Sequence, residues 1–258
     1  MKSLTQHSNK RTFMFKNVYL GISYLFRGFG LIIKPGLKRY FLIPLVINLV
    51  VFALLTWIGI SYFGDLLNLL LPAGDEWWAV LSRVVLWLIF ATSALLIMFF
   101  TFSIVANLIG APFNALLAEK VEELLTGTKI QKATGSPGSF VSEIPSSIFY
   151  ELGKITYYVI FSGLILILAV VPIASIVFPF VWFVFTAWML SLEYLGYPME
   201  NHGMKFSTVR KEAGKELMMS LGFGLAVMIS TVLPLVNFVI MPAAVAGATV
   251  MWIETRKK

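Results

Sequence analysis

Lys34-Pro35-Gly36-Leu37-Lys38-Arg39-Tyr40 is the segment best equipped to hold an anion, and it immediately precedes a long apolar run. The first turn of any helix leaves backbone N–H groups without partners, and the helix dipole makes that end positive. Gly36 lets a ligand come close to the backbone, and Lys38 and Arg39 add two full charges. Together these groups suit an oxyanion such as sulfate or phosphate. A plainer reading fits the same residues: Lys and Arg on the cytoplasmic side snorkelling beside a membrane span. Spacing alone favours the plainer one.

Two further polar clusters interrupt apolar sequence. Asn107, Asn114 and Glu119 surround Pro112 near the end of an apolar stretch. Polar groups at membrane depth face a cavity or another helix, so these either line a polar pathway or hydrogen-bond between helices. Pro112 is expected to kink or break its helix. Glu119 would repel an anion unless a cation pairs with it, and Arg27 and Lys38 are the candidate partners. Glu193-Tyr194-Leu195-Gly196-Tyr197-Pro198-Met199-Glu200-Asn201 reads as a structural linker or as part of a cytoplasmic gate. Asn48 and Asn237 fit interhelical hydrogen bonding, and Arg83 fits snorkelling at a helix end.

Other chemistry lacks material. Cysteine is absent and the only histidines are His7 and His202, which removes disulfides and Cys-based metal sites and leaves little for His-based ones. No phosphate-binding loop occurs: Gly214-Lys215 lacks the upstream glycine and the following Ser or Thr, so no ATP hydrolysis is expected. Gly135-Ser136-Pro137-Gly138 has no neighbouring histidine to serve as a base. The expectation is a non-enzyme without cofactor or metal. The net charge of +7 follows the positive-inside rule better than it suggests nucleic acid.

Positioning falls to membrane helices. The chain has 258 residues, 59% hydrophobic and only 13% charged, far below the charged share of a soluble domain. Residues 1–39 carry eight Lys/Arg and no Asp or Glu, with no signal-peptide pattern. Within them Phe15, Val18, Tyr19, Ile22, Leu25, Phe26 and Phe29 recur at helical spacing, predicting an amphipathic helix in the interface that Pro35-Gly36 ends. A first span is predicted over 40–63 and a second over 84–109, with helix continuing toward 125 and an exposed loop over 126–142. The loop after the first span holds Asp65, Asp75 and Glu76 but no Lys or Arg, and Trp77 and Trp78 follow as interface anchors ahead of Arg83. That orients the N-terminus to the cytoplasm.

Two apolar stretches, 155–190 and 217–253, are each interrupted by a proline pair, Pro172/Pro179 and Pro234/Pro242. They read as a weak repeat of two helical hairpins, each dipping partway into the bilayer or crossing it as two short spans. Basic residues beside them (Lys205, Arg210, Lys211, Lys215, Arg256, Lys257, Lys258) keep their flanks and the C-terminus cytoplasmic. Ala243/Gly247 and Ala244/Ala248 permit close helix packing, within the chain or between subunits. The expected architecture is one all-α membrane domain over 1–258.

The chain resembles the CysZ sulfate permeases of bacteria. The resemblance rests on Pro35-Gly36-Leu37-Lys38-Arg39, on Gly110-Ala111-Pro112-Phe113-Asn114 with Leu117-Ala118-Glu119, and on Tyr197-Pro198-Met199-Glu200-Asn201-His202. It covers about residues 15–254. It implies sulfate uptake across the inner membrane for cysteine synthesis, two long spanning helices plus two helical hairpins, and a homo-oligomer in the lipid bilayer. The family's Gly-Leu-Arg sulfate motif falls on Gly36, Leu37 and Lys38, with Arg39 next. Lysine at 38 keeps the charge but loses the guanidinium fork, so direct binding by Lys38 or by Arg39 stays open. On this reading Gly36, Leu37, Lys38 and Arg39 bind sulfate, and Arg27, Asn107, Asn114 and Glu119 contribute to its path. Passage is expected to be channel-like. The alternative is a membrane scaffold or lipid-interface protein without transport.

Overall fold

A computed structural model describes residues 2–70, 76–129 and 140–256; within these, side chains are described except at 2–13, 48, 66–68, 70, 98–109, 111, 140–147, 234, 235, 237 and 238. Among the described residues all regular structure is helical: α1 (Lys2–Ile32), α2 (Arg39–Leu70), α3 (Trp77–Thr126), α4 (Phe140–Val170), a 3-10 turn (Ala174–Ile176), α5 (Phe178–Glu200), α6 (Phe206–Lys215), α7 (Leu217–Thr231) and α8 (Pro234–Arg256). The chain forms two compact units, residues 42–113 and residues 1–41 with 114–258.

The first of these units is a pair of apolar helical segments. Leu49, Trp57 and Leu88 are each more than 60% exposed, a surface that is costly in water and suited to apolar surroundings such as lipid. Phe63 stacks on Phe90 at 3.7 Å, and Trp87 meets both edge-on, joining α2 to α3. Both helices exceed the predicted spans: at about 1.5 Å per residue α2 is ~48 Å long. Helix α2 runs past Asp65 to Leu70 and α3 already starts at Trp77, so both extend into the interval between the predicted spans. Glu76 begins α3, its carbonyl accepting from the N–H groups of Ala79 and Val80 and its carboxylate from Trp78 Nε1. Of the two outcomes expected at Pro112, a kink or a break, the break does not occur: α3 runs through it. The proline removes one hydrogen bond, while neighbouring backbone groups in apolar surroundings have no partner except the helix itself. The predicted 126–142 loop begins at Gly127; residues 130–139 lie outside the described part.

The second unit is a bundle in which α1, α5, α7 and α8 pack closely, with α4 and α6 at its side. Leu25, Leu117, Leu192, Phe223 and Val245 are fully buried, and α8 is buried almost continuously from Ile240 to Ile253. The amphipathic α1 is therefore part of the core rather than only an interface helix. Leu25 is buried, and Ile22 and Phe29 pack against the core; Phe15, Tyr19 and Phe26 are 65–70% exposed. Glycines set close approaches between α1 and its neighbours. A methyl group on Gly21 would lie 2.0 Å from the Met219 carbonyl oxygen, and one on Gly28 would lie 2.0 Å from that of Ala243. One on Gly247 would lie 2.5 Å from the Tyr24 carbonyl oxygen. Ala243 and Gly247 thus pack within the chain, against α1.

The proline-broken hairpins differ from one another. Helices α4 and α5 are separated by residues 171–177, which contain Pro172, while Pro179 occupies the first turn of α5. Helices α7 and α8 are separated only by Val232 and Leu233; Pro234 starts α8 and Pro242 lies inside it without breaking it. The first hairpin is also longer than predicted. Ile148–Val170 and Phe178–Glu200 each supply 23 residues, ~34 Å, enough to cross a ~30 Å core. By length and composition, four described helices can cross a membrane, the others being Arg39–Asp65 and Trp77–Ile97. Helix α7, with 15 residues, reaches only ~22 Å; joined to α6 across a 105° bend it would make a fifth, broken span.

Arg27 joins α1 to α8. Its Nη1 and Nη2 donate to Glu254 at 2.9 and 2.5 Å, and the Tyr24 hydroxyl donates to Glu254 at 2.9 Å. Burial, followed by the bond to Glu254, pushes the Tyr24 phenol up to about 12. The bond to Glu254 also holds the Arg27 guanidinium above its ordinary range. Because both partners are more than 40% exposed, solvent screening limits the pair. Arg27→Gln is expected to lower thermal stability by about 1 kcal/mol, and adding Glu254→Gln, which keeps an acceptor for Tyr24, to cost less than it does in the wild type. Fully additive losses would mean that the Arg27–Glu254 pair contributes nothing.

Candidate anion-binding turn

Helix α1 stops where the sequence supplies a turn. The Leu37 N–H donates to the Lys34 carbonyl at 3.2 Å, closing four residues with Pro35 second and Gly36 third. Gly36 has φ +90°, the left-handed value that the third position of a type II turn requires and that L side chains avoid. The turn is anchored at both ends, because Leu31, Ile32 and Leu37 are buried in the core. Helix α2 then begins tightly, with Tyr40 N–H to Leu37 O at 3.0 Å and Phe41 N–H to Lys38 O at 3.3 Å.

Gly36, Lys38 and Arg39 are exposed, and among the described residues their N–H groups have no acceptor. Lys38 has no polar partner there either. Arg39 donates to the Tyr40 hydroxyl at 3.1 Å, and its guanidinium lies 5.0 Å from that ring's centre. Leu37 plays a different part from its neighbours: its N–H closes the turn and its side chain is buried, so it fixes the loop. What remains is a fixed backbone edge with three donors and two cations, a set that matches a tetrahedral oxyanion.

The residues read as a pathway are not gathered as a set. Arg27 belongs to Glu254. Asn114 is 5% exposed, with Nδ2 3.5 Å from the Tyr197 hydroxyl. Among the described residues Glu119 forms no ion pair with Arg27, Lys38 or any other group. Asn107 lies on α3 in the other unit, and its side chain lies outside the described part, as do those of Asn48 and Asn237. The two remaining motifs instead meet each other. Asn201 Nδ2 donates to the Ala115 carbonyl at 2.8 Å, and His202 Nε2 lies 3.0 Å from both carboxylate oxygens of Glu122. The 197–202 segment thus fastens the end of α3.

Sequence reasoning missed Glu254, Glu122 and one half-buried lysine. Lys154 is 15% exposed and bridges Glu151 and Glu193 at 2.8 Å each. The Glu151/Lys154 spacing in an apolar helix was the available signal. Among the described residues, no His, Asp and Glu cluster has the geometry to hold a metal ion.

Residues 24–242 match the family described as Sulfate transporter CysZ/Etoposide-induced protein 2.4. The chain belongs to that family. A protein named Sulfate transporter CysZ from Pseudomonas aeruginosa (strain LESB58) is 37% identical over 234 residues, covering 91% of this chain and 94% of the relative. Proteins of the same name from Pectobacterium atrosepticum and Salmonella typhimurium are each 35% identical over 235 residues, 91% of this chain, and 84% and 92% of the relatives. The CysZ likeness therefore runs through both compact units and includes the 34–40 turn.

The Glu122 contact predicts a stability effect. His202→Ala leaves a carboxylate that is only 11% exposed without its imidazole, a loss of about 2 kcal/mol. Thermal unfolding in detergent should rank His202→Ala below Arg27→Gln; the reverse order would mean that the Glu122 contact contributes little.

Proposed function

We propose that the protein is a sulfate permease of the bacterial inner membrane, supplying sulfate for cysteine synthesis. The observation that carries this reading is membership of a family whose relatives, alike across nine-tenths of the chain, are named sulfate transporters. The 34–40 turn supports it physically. Gly36, Lys38 and Arg39 would bind sulfate through backbone N–H groups and two cations, with Leu37 as anchor, as the ion leaves the membrane path for the cytoplasm. A binding site for a transported ion must also let go, and an exposed turn does so more readily than a closed cage. The charge pattern around 1–39 and 205–215 supports cytoplasmic termini, which would put the turn on the cytoplasmic side. Passage is channel-like, without ATP, and the protein works as a homo-oligomer in the bilayer.

The test is labelled sulfate uptake into liposomes holding the purified protein, with chloride and phosphate as competitors. Uptake above empty liposomes that excess sulfate suppresses and chloride does not is the expected result. No uptake from folded protein would overturn it in favour of a scaffold or lipid-interface role.

A further inference from the structure

A cavity of about 300 Å³ lies in the elbow formed by α6, α7 and the last turns of α8. It belongs wholly to the 114–258 part of the chain and shares no residue with the 34–40 turn. Met199, Met204, Met251 and Trp252 supply soft apolar surface to it. Its polar groups sort themselves by partner. Ser220 Oγ donates to the Ala213 carbonyl and Thr255 Oγ to that of Met251. Lys215 is occupied by both oxygens of Glu212, at 2.7 and 2.8 Å. Among the described residues that leaves two charged groups without an ion-pair partner: the Glu216 carboxylate and the Arg256 guanidinium, which lies 5.3 Å from the Trp252 ring centre.

We propose that this cavity binds a free α-amino acid with an unbranched apolar or thioether side chain. One carboxylate and one guanidinium beside thioether and indole surface match an ammonium and a carboxylate carried on one small molecule. A mononegative ion would leave Glu216 unanswered, and a cation would leave Arg256 so. The three thioethers and the indole accept a flexible, polarisable side chain without demanding a fixed shape. The volume suits one small metabolite and is too small for a nucleotide cofactor. Cation–π contact with Trp252 holds Arg256 in place before the ligand arrives, and the His202 ring packs 4.7 Å from the indole.

The test uses the full-length protein in detergent and in phosphatidylethanolamine nanodiscs, with radiolabelled L-methionine as the probe. Saturable binding is expected, competed by L-norleucine. N-acetylmethionine, which lacks the ammonium, and methioninamide, which lacks the carboxylate, should each compete at least tenfold more weakly. Glu216→Gln and Arg256→Gln should each weaken methionine at least tenfold with unchanged melting temperature, and Glu216→Gln should erase the penalty on N-acetylmethionine. Absence of saturable binding in protein with a normal melt would overturn the proposal. So would binding indifferent to both substitutions. Binding seen in detergent but lost in the nanodiscs would assign the cavity to the ammonium and phosphate of a phospholipid instead. None of these readouts depends on sulfate uptake, so this inference and the permease reading can fail separately.

Discussion

Sulfate uptake by the Lys38→Ala/Arg39→Ala variant is expected to fall about 100-fold below saturation, with folding intact. Each charge-assisted contact to an anion contributes about 1.5 kcal/mol or more, and two such losses multiply to roughly that factor. The fold should tolerate the change, since both side chains are exposed while Leu31, Ile32 and Leu37 hold the turn to the core. A control removes the same charge elsewhere: Lys205→Ala/Lys211→Ala deletes two exposed cations and should leave uptake within about twofold, because screening over roughly 10 Å silences distant surface charges. Equal losses in both variants would mean that a general positive field, not this turn, draws the anion. Single substitutions then divide the work. Arg39 already shares its guanidinium with Tyr40, whereas Lys38 is free among the described residues, so Lys38→Ala should cost more than Arg39→Ala. Lys38→Arg should strengthen binding by restoring a planar fork.

The turn was legible because its determinants are local. Proline second and glycine third specify the backbone within four residues, and the apolar run after Arg39 specifies a helix start. The long apolar helices were legible for the same reason, and Asp65 and Arg83 misled only about their ends. What the sequence hid is pairing at a distance. Arg27 looked available for an anion because Glu254, its partner, lies 227 positions away. Asn114 and the 197–202 motif stood out as polar residues in apolar surroundings, yet nothing local says that they meet each other. The face of α1 was hidden by a different cause. In a membrane protein, lipid-facing and core-facing residues are equally apolar, so Phe15, Tyr19 and Phe26 could not be told from Ile22, Leu25 and Phe29 by hydropathy. The glycines carried that information instead. Gly21 and Gly28 lie seven apart, two turns on one face, and mark where α1 meets other backbones.

Those glycines set a large stability effect. Gly28→Ala is expected to destabilise the protein by about 3 kcal/mol or more, at the upper end for an overpacked methyl group, and Gly21→Ala/Gly28→Ala to prevent recovery of a monodisperse protein. The added carbon of Gly28→Ala would sit 2.0 Å from the Ala243 carbonyl oxygen and 2.7 Å from the Gly247 nitrogen. Both are backbone atoms, so no rotamer change can relieve the contact and the helices must separate. Separation is costly because helices surrounded by lipid gain nothing from water exclusion and are held by close packing itself. Gly30→Ala is the matched control on the same helix. Nothing lies within 4 Å of its added carbon, and alanine is the better helix former by up to about 1 kcal/mol, so its melting temperature should hold or rise. Melting temperatures for Gly28→Ala and Gly30→Ala that agree within error would show that α1 does not depend on this approach to α8, and the packing account of the bundle would fail with it.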